Sequence, residues 1–207
     1  MTGDETSHND APAPGAQSRE PGPAGTARSG GASGSAGRME IDSPRLDDAA
    51  AMYRITRDSG VLDVNSSYVY LLWCRDFART SAVARVDGSV VGFVSGYLRP
   101  EAPDTLVVWQ VAVDSSQRGG GVAGKLLGNL VDRVRPGYLE TTITADNAAS
   151  IKLFSALARD RSTGLDRTEL FTPRMFPEEH DSEDLYRIGP FDFGRARTGA
   201  AQSPPAP

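Results

Sequence analysis

The feature that most constrains the fold of this chain is a glycine cluster that separates an apolar run from an amphipathic segment. The run Thr105–Val113 (TLVVWQVAV) has the β-branched composition of a buried strand. Gly119, Gly120 and Gly121 follow it, and apolar residues then recur at helical spacing over Val122–Val134. A strand, a glycine-rich turn and a helix form a β–α unit, so we predict an α/β protein.

Similar patterns divide the rest of the chain between strands and helices. Asp87-Gly88 favours a tight hairpin, Ser43-Pro44 is typical of a helix start, and Leu98–Asp104 contains prolines typical of a loop. The predicted order is β-α-α-β-β-β-α-β-α-β, which indicates a mixed sheet. Predicted strands cover 39–42, 81–86, 90–97, 105–113, 139–145 and 185–188. Predicted helices cover 44–57, 67–78 and 122–134, and a fourth helix is capped by Asp146 or Asn147 and runs to Ala158.

Both ends of the chain lack large apolar side chains. From Thr2 to Arg38 and from Gly194 to Pro207 there is no Val, Ile, Leu, Phe, Tyr or Trp. Such segments bury too little to offset the entropy of ordering, so we predict that 1–38 and 194–207 are disordered. Met39–Phe193 is long enough to hide roughly 68–70% of its unfolded surface, and we predict that it forms a single domain.

We expect a chain trimmed to Met39–Phe193 to fold and to keep its activity, because neither end carries apolar side chains with which to dock. Thermal melting monitored by circular dichroism compares the folding of the trimmed and full chains. Steady-state kinetics compares their activity. Aggregation of the trimmed chain, or a loss of its activity, would show that the ends contribute more than their composition indicates.

The composition argues against several classes of partner. The net charge is −5 and the chain has no run of Lys or Arg, whereas a nucleic-acid backbone requires a basic face. No apolar run approaches the ~20 residues of a membrane span, and the N-terminus lacks the apolar region of a secretory signal. The single cysteine, Cys74, cannot form an internal disulfide, and its apolar neighbours predict a core position. We therefore expect a cytoplasmic protein without a nucleic-acid or membrane partner.

The glycine cluster suits a phosphate-bearing ligand, because helix N-termini present unpaired N–H groups and glycines allow close approach to the backbone. Gly119-x-Gly121-x-x-Gly124 matches the dinucleotide pattern, but that pattern belongs to the first β–α unit of its domain. Gly119-x4-Gly124-Lys125 nearly matches the NTPase phosphate loop, but Leu126 occupies the place of the Mg²⁺-binding hydroxyl. A turn without a ligand is the remaining alternative.

A third pattern fits without exception, because Arg118–Ala123 (RGGGVA) matches Arg/Gln-x-x-Gly-x-Gly/Ala. This is the acetyl-coenzyme A signature of the GNAT superfamily of N-acetyltransferases, which the chain resembles over its predicted domain. The resemblance implies the GNAT fold, a single α/β domain whose mixed, mostly antiparallel central sheet is flanked by helices. It also implies a bulged central strand at Val108–Val113. The implied coenzyme contacts are Val111, Val113, Arg118, Gly119, Gly120, Gly121, Val122, Ala123, Asn147 and Phe154.

The helix predicted after the fifth strand carries a second superfamily motif. Asn147–Phe154 (NAASIKLF) matches Asn-x-x-Ala/Ser-x-x-Leu-Tyr/Phe. Asn147 is predicted to be the N-cap of this helix. The resemblance implies that its side chain also contacts the coenzyme arm, and the two roles are compatible. Many relatives have tyrosine at the position of Phe154, where it protonates the departing thiolate. Phenylalanine cannot, so the proton comes from water or another hydroxyl, or no dedicated acid is needed.

Further segments resemble one family within the superfamily. Leu62–Tyr68, Asp104–Asp114, Thr142–Ile151 and Phe176–Ile188 are similar to the L-2,4-diaminobutyrate acetyltransferases, and they include loops where packing does not dictate residues. The resemblance implies acetyl transfer from acetyl-CoA to the γ-amine of this small diamino acid, in ectoine biosynthesis, by a homodimer. Acetylation of another small amine or of a peptide N-terminus, and coenzyme binding by a regulator, are the alternatives.

The same resemblance implies the residues of the acceptor site. Trp109, Tyr68 and His180 are implied as catalytic residues, and Asp63 and Glu183 as the carboxylates that bind the substrate. Each residue also has a structural interpretation. Asp63 could start a turn, Tyr68 and Trp109 could be core aromatics, and His180 and Glu183 could be solvated loop residues. No cluster of His, Cys, Asp and Glu has metal-ligand spacing, so we expect no metal.

Overall fold

The chain forms a seven-stranded sheet with α-helices packed on both faces. The computed structural model describes residues 38–60, 62 and 64–194, so both predicted tails lie outside the described residues except for Arg38 and Gly194. None of the helices in these ranges is long and apolar enough to cross a membrane. In chain order the elements are β1 (Met39–Asp42), α1 (Ala49–Ser59), α2 (Ser67–Arg75), β2 (Ala82–Val86), β3 (Ser89–Arg99), β4 (Ala102–Val113), α3 (Val122–Val134), β5 (Tyr138–Thr144), α4 (Ala148–Asp160), β6 (Leu165–Phe171) and β7 (Glu183–Ile188).

The strands lie in the order β1-β2-β3-β4-β5-β7-β6. Every neighbouring pair is antiparallel except β4 and β5, which run parallel because α3 connects them as a crossover. The predicted α/β class and the mixed, mostly antiparallel sheet are therefore confirmed. The parallel pair lies in the interior of the sheet, and the glycine cluster follows the end of β4.

Alternating residues of the central strands face two separate apolar cores. Val94 on β3 packs with Leu126 of α3 and Phe154 of α4, whereas its neighbour Phe93 packs with α1 and α2, including Met52. Each buried Leu, Met or Phe side chain contributes about 1.5–3 kcal/mol. Among the described residues, the α1/α2 core contains none from β5, β6 or β7. One face of these strands is therefore not covered by α1 and α2.

The parallel strands β4 and β5 separate shortly after they meet. They pair from Thr105 opposite Tyr138 to Val107 opposite Glu140, and both strands continue beyond this point without pairing with each other. Backbone groups of β4 that face β5 then have no ladder partner on that strand. A cleft therefore opens between the two strands toward the glycine cluster.

A β-bulge lies at the start of this cleft. Ser95 lies opposite Gln110 and Gly96 opposite Val108, so Trp109 is the extra residue on β4. A Cβ atom on Gly96 would lie 2.5 Å from a carbonyl oxygen of β4, so the close approach of the strands requires glycine here. The predicted bulge in the central strand is confirmed.

The edge strand β6 is absent from the predicted order. The structure places it at Leu165–Phe171, where it pairs with β7 and forms one edge of the sheet. Every residue of β6 after Leu165 is exposed, so its sequence (LDRTELF) carries no alternating apolar pattern. An edge strand with no buried face gives no period-two signal, and the predicted topology therefore lacks one strand.

The helix start predicted at Pro44 is wrong, because α1 begins at Ala49 after a single 3-10 helical turn. The buried Asp48 carboxylate fixes the path of the backbone into α1. Its Oδ2 accepts from the Arg45 backbone N–H at 2.6 Å and from Arg85 Nη2 at 2.5 Å. A buried charge needs such partners, so the ion pair between the helix entry and β2 sets where α1 begins.

Two further boundaries differ from the prediction. The segment Leu98–Asp104, predicted as a loop, is mostly strand, because β3 extends to Arg99 and β4 begins at Ala102, which leaves only Pro100 and Glu101 in a tight turn. Pro100 lies in this turn, where its fixed φ is favoured. The helix α2 ends at Arg75, earlier than predicted, and is followed by a separate 3-10 turn.

Candidate active site

The glycine cluster forms an open turn at the N-terminus of α3. Gly119 and Gly121 have φ angles of 81° and 71°, in the left-handed region that favours glycine. Gly121 is the N-cap of α3, and the first turn contains no acidic residue. A Cβ atom on either glycine would have no heavy atom within 4 Å. The first N–H groups of α3 therefore face open space and carry the partial positive charge that binds anions.

An ion pair connects this turn to α1. Arg54 Nη1 donates to Asp114 Oδ2 at 3.0 Å, and Asp114 Oδ1 accepts from the Ser116 backbone N–H at 3.1 Å. The Arg54 guanidinium and the Ser116 donors hold the pKa of the Asp114 carboxyl below its ordinary value. Arg54, Asp114 and Arg118 line a polar recess beside the turn. Because Arg54 balances the charge of Asp114, this carboxylate opposes a nearby anion less than an unpaired one would.

The residues implied as coenzyme contacts differ in their exposure. The turn itself faces solvent, whereas the residues of β4 and α4 lie deeper, along the cleft and the core. Arg118, Gly119, Gly120 and Gly121 are exposed, Val111, Val113, Ala123 and Asn147 are half-buried, and Val122 and Phe154 are buried.

Two of these residues have clear structural roles on α4. Asn147 is the N-cap, and its Oδ1 accepts from the Ser150 backbone N–H at 3.0 Å, so the capping interpretation is confirmed. Phe154 is 3% exposed and packs in the core formed with α3. Its ring is therefore a packing element and carries no group that exchanges a proton.

Trp109 forms an exposed wall beside the bulge. Its side chain is 51% exposed, which shows that the core interpretation of this residue is wrong. The indole packs on buried Trp73 of α2, with ring centroids 6.0 Å apart. Trp73 in turn contacts Phe77 and Tyr97, at centroid distances of 4.8 Å and 6.4 Å. This aromatic cluster supports the Trp109 ring from one side and leaves the other side accessible.

A buried polar contact that the sequence did not reveal joins α2 to the bulged strand. Tyr70 OH donates to Gln110 Oε1 at 3.3 Å, and both residues are buried. Gln110 directly follows Trp109 at the bulge. The only sequence signal for this contact is the amide of Gln110 within an apolar strand, which indicates that a hydrogen-bond partner is needed but not which residue it is.

His180 and Glu183 lie together between β6 and the start of β7. His180 Nε2 is 3.8 Å from Glu183 Oε1, and both side chains are about one-fifth exposed (22% and 23%). The imidazole stacks on Phe176 at 3.9 Å, and its Nδ1 lies 2.6 Å from the Asp181 carbonyl oxygen. A ring that donates Nδ1–H to this carbonyl presents Nε2 as its acceptor when neutral. The interpretation as fully solvated loop residues is wrong.

The other predicted acceptor residues lie elsewhere in the fold. Tyr68 is on the first turn of α2 and is 61% exposed, so its interpretation as a core aromatic is wrong. Asp63 lies outside the described residues, and its role stays a prediction. The structure thus brings His180 and Glu183 into direct contact, and places Trp109 at the bulge.

Neither a metal centre nor a reactive thiol is found in the described ranges. No three side chains of His, Cys, Asp or Glu converge there in a way that could hold a metal ion. Cys74 is buried in the α1/α2 core with its Sγ 3.6 Å from Met52 Sδ, so the predicted core position is confirmed. Burial, aided by the charge of Asp48, raises the pKa of the Cys74 thiol to about 11. This thiol is therefore protonated at neutral pH and is a poor nucleophile.

We expect Cys74 in the native protein to react with 5,5′-dithiobis(2-nitrobenzoate) at least ~100-fold more slowly than an exposed cysteine, because its thiolate is scarce and shielded. A time course at neutral pH, repeated in guanidinium chloride, measures both states. Fast labelling of the folded protein would contradict the buried position. If the thiol is silent, the same reagent reports only thiols released during turnover.

Comparison with known proteins identifies the family. Residues 49–158 match the acetyltransferase (GNAT) family. The chain is 56% identical over 157 residues to the L-2,4-diaminobutyric acid acetyltransferase of Nocardia farcinica. This alignment covers 74% of this chain and 81% of that protein. It is 55% identical to the protein of the same name from Streptomyces coelicolor, over 75% of this chain and 95% of that one.

Solved structures agree with the sequence comparison. Diaminobutyrate acetyltransferase EctA from Paenibacillus lautus, in complex with its substrate L-2,4-diaminobutyric acid and coenzyme A, has a TM-score of 0.71 at 36% identity, covering 76% of this chain and 99% of that chain. Ard1 from Thermoplasma volcanium has a TM-score of 0.62 at 21% identity over 73% of this chain and 97% of that one, which shows a shared fold. The chain therefore belongs to the L-2,4-diaminobutyric acid acetyltransferase family, within the GNAT acetyltransferases.

Proposed function

We propose that this enzyme transfers the acetyl group of acetyl-CoA to the γ-amine of L-2,4-diaminobutyrate and releases N4-acetyl-L-2,4-diaminobutyrate, in ectoine biosynthesis. The observation that carries this proposal is the 55–56% identity to two acetyltransferases named for that amino acid. The geometry supports it, because an anion-binding helix N-terminus follows β4 and a carboxylate–histidine pair lies beside β5. These are the two strands that separate to form the cleft.

The coenzyme side of the cleft supplies an acetyl thioester held by its pyrophosphate and its pantetheine arm. The N–H groups at the glycine turn bind the pyrophosphate, and Arg118 adds a positive charge. The backbone of β4 binds the arm at Val111 and Val113, since it lacks a partner on β5 there. Asn147 offers its side-chain nitrogen to the same arm. The assigned contacts are Val111, Val113, Arg118, Gly119, Gly120, Gly121, Val122, Ala123, Asn147 and Phe154.

The acceptor side binds a molecule with two amines and one carboxylate. Glu183 and Asp63 bind the α-ammonium, because a cation in a partly dry site requires opposite charge. The half-exposed indole of Trp109 forms a wall beside the γ-amine and excludes water from the bulge. The α-nitrogen is thus the held end of the substrate, and the γ-nitrogen is the reacting end.

The γ-amine must lose a proton before it can attack, since a lysine-like ammonium is mostly charged at neutral pH. His180 Nε2 accepts this proton, and the Glu183 carboxylate at 3.8 Å stabilises the imidazolium that results. The nitrogen lone pair then forms the N–C bond with the acetyl carbon, the nitrogen loses its second proton to solvent water, and the C–S bond breaks with its electrons on sulfur. Tyr68 or water supplies a proton to the sulfur, because Phe154 has none to give.

Acetylation of a different amine is the second candidate. The strong exposure of Tyr68 and Trp109, at 61% and 51%, favours a wide acceptor entrance that a larger amine or a peptide N-terminus could use. A peptide acceptor would bind along an open groove and would not depend on carboxylates at the α-position. The choice of acceptor in one assay therefore separates the two candidates.

The test is release of free thiol from acetyl-CoA with a panel of acceptors at equal concentration. The panel contains L-2,4-diaminobutyrate, ornithine, lysine, 1,3-diaminopropane and short peptides with free N-termini. We expect the highest kcat/KM with diaminobutyrate. A higher value with a peptide would favour the second candidate. If none of the acceptors raises thiol release above background, a coenzyme-binding regulator is favoured.

We also infer that the enzyme is a cytoplasmic homodimer. The exposed edge strand β6 carries Leu170 and Phe171, both about two-fifths exposed (39% and 41%), and such a strand is suited to pairing with a second copy. Light scattering coupled to size-exclusion chromatography should give twice the chain mass of 22.0 kDa. A mass equal to one chain at micromolar concentration would rule the dimer out.

A further inference from the structure

A row of side chains on β5 and β7 shares the face that α1 and α2 leave uncovered. In the antiparallel register Thr144 lies opposite Glu183 and Thr142 opposite Leu185. Cross-strand partners share a face, and so do residues two positions apart on one strand. Thr142, Thr144 and Glu183 therefore project from the same face. Ile143 projects from the other face, into the core formed with α3 and α4.

The two oxygens of the Glu183 carboxylate have different neighbours. Oε2 accepts a hydrogen bond from Thr142 Oγ1, and Oε1 lies 3.8 Å from His180 Nε2. The Thr142 hydroxyl is itself well fixed, because a β-branched side chain on a paired strand has few χ1 rotamers. Glu183 is a longer side chain with more rotamers, so this bond from a stiff donor selects one of them.

We propose that Thr142 is a positioning residue for the acceptor. It holds Glu183 in the rotamer that turns Oε1 toward His180 and the substrate α-ammonium. The proposal rests on the role given to Glu183 in the proposed function, and it adds a residue that neither contacts the coenzyme nor exchanges a proton. A positioned carboxylate binds an ammonium without first paying the entropy of ordering its own side chain.

The neighbouring threonine provides a matched control. Thr144 lies on the same face, directly opposite Glu183, but its Oγ1 donates to Asp146 Oδ1 at 2.6 Å and not to Glu183. Replacing either threonine with valine removes one hydroxyl and keeps the β-branched shape that a strand favours. The two valine variants therefore differ mainly in whether the Glu183 carboxylate loses a donor.

The experiment is steady-state kinetics of full-length Thr142→Val, Thr142→Ser and Thr144→Val. We expect Thr142→Val to raise KM for diaminobutyrate about tenfold, with KM for acetyl-CoA close to that of the unchanged enzyme. Thr142→Ser should restore most of the loss, because serine returns the hydroxyl. Thr144→Val should leave KM for diaminobutyrate unchanged. Equal effects of the two valine variants, or failure of serine to rescue, would overturn the proposal.

A double-mutant cycle with Glu183→Gln separates this inference from the proposed function. If Glu183→Gln raises KM and Thr142→Val adds little to it, the two residues act through one carboxylate, as proposed. If Glu183→Gln raises KM while Thr142→Val alone does not, only the positioning role fails. If Glu183→Gln leaves KM unchanged, the role of Glu183 in the proposed function fails, and the role of Thr142 fails with it.

Discussion

Replacing Gly121 with valine is expected to lower the affinity for acetyl-CoA at least ~100-fold while the domain stays folded. A side chain at Gly121 would extend into the open space in front of the first N–H groups of α3. The pyrophosphate would then be held away from those donors. Each lost charge-assisted hydrogen bond costs about 1.5–3 kcal/mol, so the loss of two accounts for this factor. Isothermal titration calorimetry with acetyl-CoA measures it.

Gly88→Val is the matched control for this variant. Gly88 lies in the turn between β2 and β3 with a φ of 80°, and a Cβ atom there would also have no heavy atom within 4 Å. Valine in a left-handed conformation costs stability at either position. Both variants should therefore melt at a lower temperature, but only Gly121→Val should lose the coenzyme. Unchanged coenzyme affinity in Gly121→Val would refute the assignment of the glycine turn.

Removing either carboxylate of the acceptor site is expected to raise KM for diaminobutyrate about ten- to a hundredfold. Loss of one partner from a charge-assisted hydrogen bond costs about 1.5–3 kcal/mol, which corresponds to that range. Asp63→Ala and Glu183→Ala should each show this increase, and both should bind acetyl-CoA as the unchanged enzyme does. Steady-state kinetics at saturating acetyl-CoA gives KM, and calorimetry gives the coenzyme affinity.

The exposed Glu179 supplies the control for these variants, because it lies in the same segment as Glu183 and also carries a carboxylate. Glu179→Ala removes the same charge from the loop just before β7, so a purely long-range electrostatic effect would appear in it too. We expect its KM to stay within about twofold of the original value. Wild-type KM in both Asp63→Ala and Glu183→Ala would mean that the substrate is oriented differently.

The glycine turn could be predicted because all of its determinants are adjacent in sequence. The strand run, the three glycines and the helical periodicity of Val122–Val134 follow one another within a single segment. Local propensity and hydrophobic period are sufficient signals for such a unit. The left-handed φ angles of Gly119 and Gly121 agree with the close backbone approach that the motif requires.

The exposure of Trp109 could not be predicted from its neighbours. An aromatic residue within an apolar strand is ordinarily buried, and its local sequence favours that interpretation. The structure exposes it because β4 leaves β5 after Val107 and bulges against β3. Both features depend on the pairing of strands that are distant in sequence, so no local pattern encodes them.

The Thr142–Glu183 contact was missed for a related reason. The alternation of Leu139–Ala145 predicts which residues of β5 share a face, but not which strand lies beside them. Only the antiparallel pairing of β5 with β7 brings the carboxylate to the hydroxyl. Since β6 lies between α4 and β7 in sequence and gives no strand pattern, the arrangement of the last strands could not be derived from the sequence alone.

In the proposed reaction the α-nitrogen of the substrate is held and the γ-nitrogen reacts. The most direct measurement is the position of the acetyl group on the product formed from acetyl-CoA and L-2,4-diaminobutyrate by the full chain. Two-dimensional NMR correlates the acetyl carbonyl with the methylene next to the acetylated nitrogen or with the α-methine. We predict one product, acetylated only at the γ-nitrogen, in an amount equal to the thiol released. Acetylation at the α-nitrogen, or a mixture of the two isomers, would contradict the account.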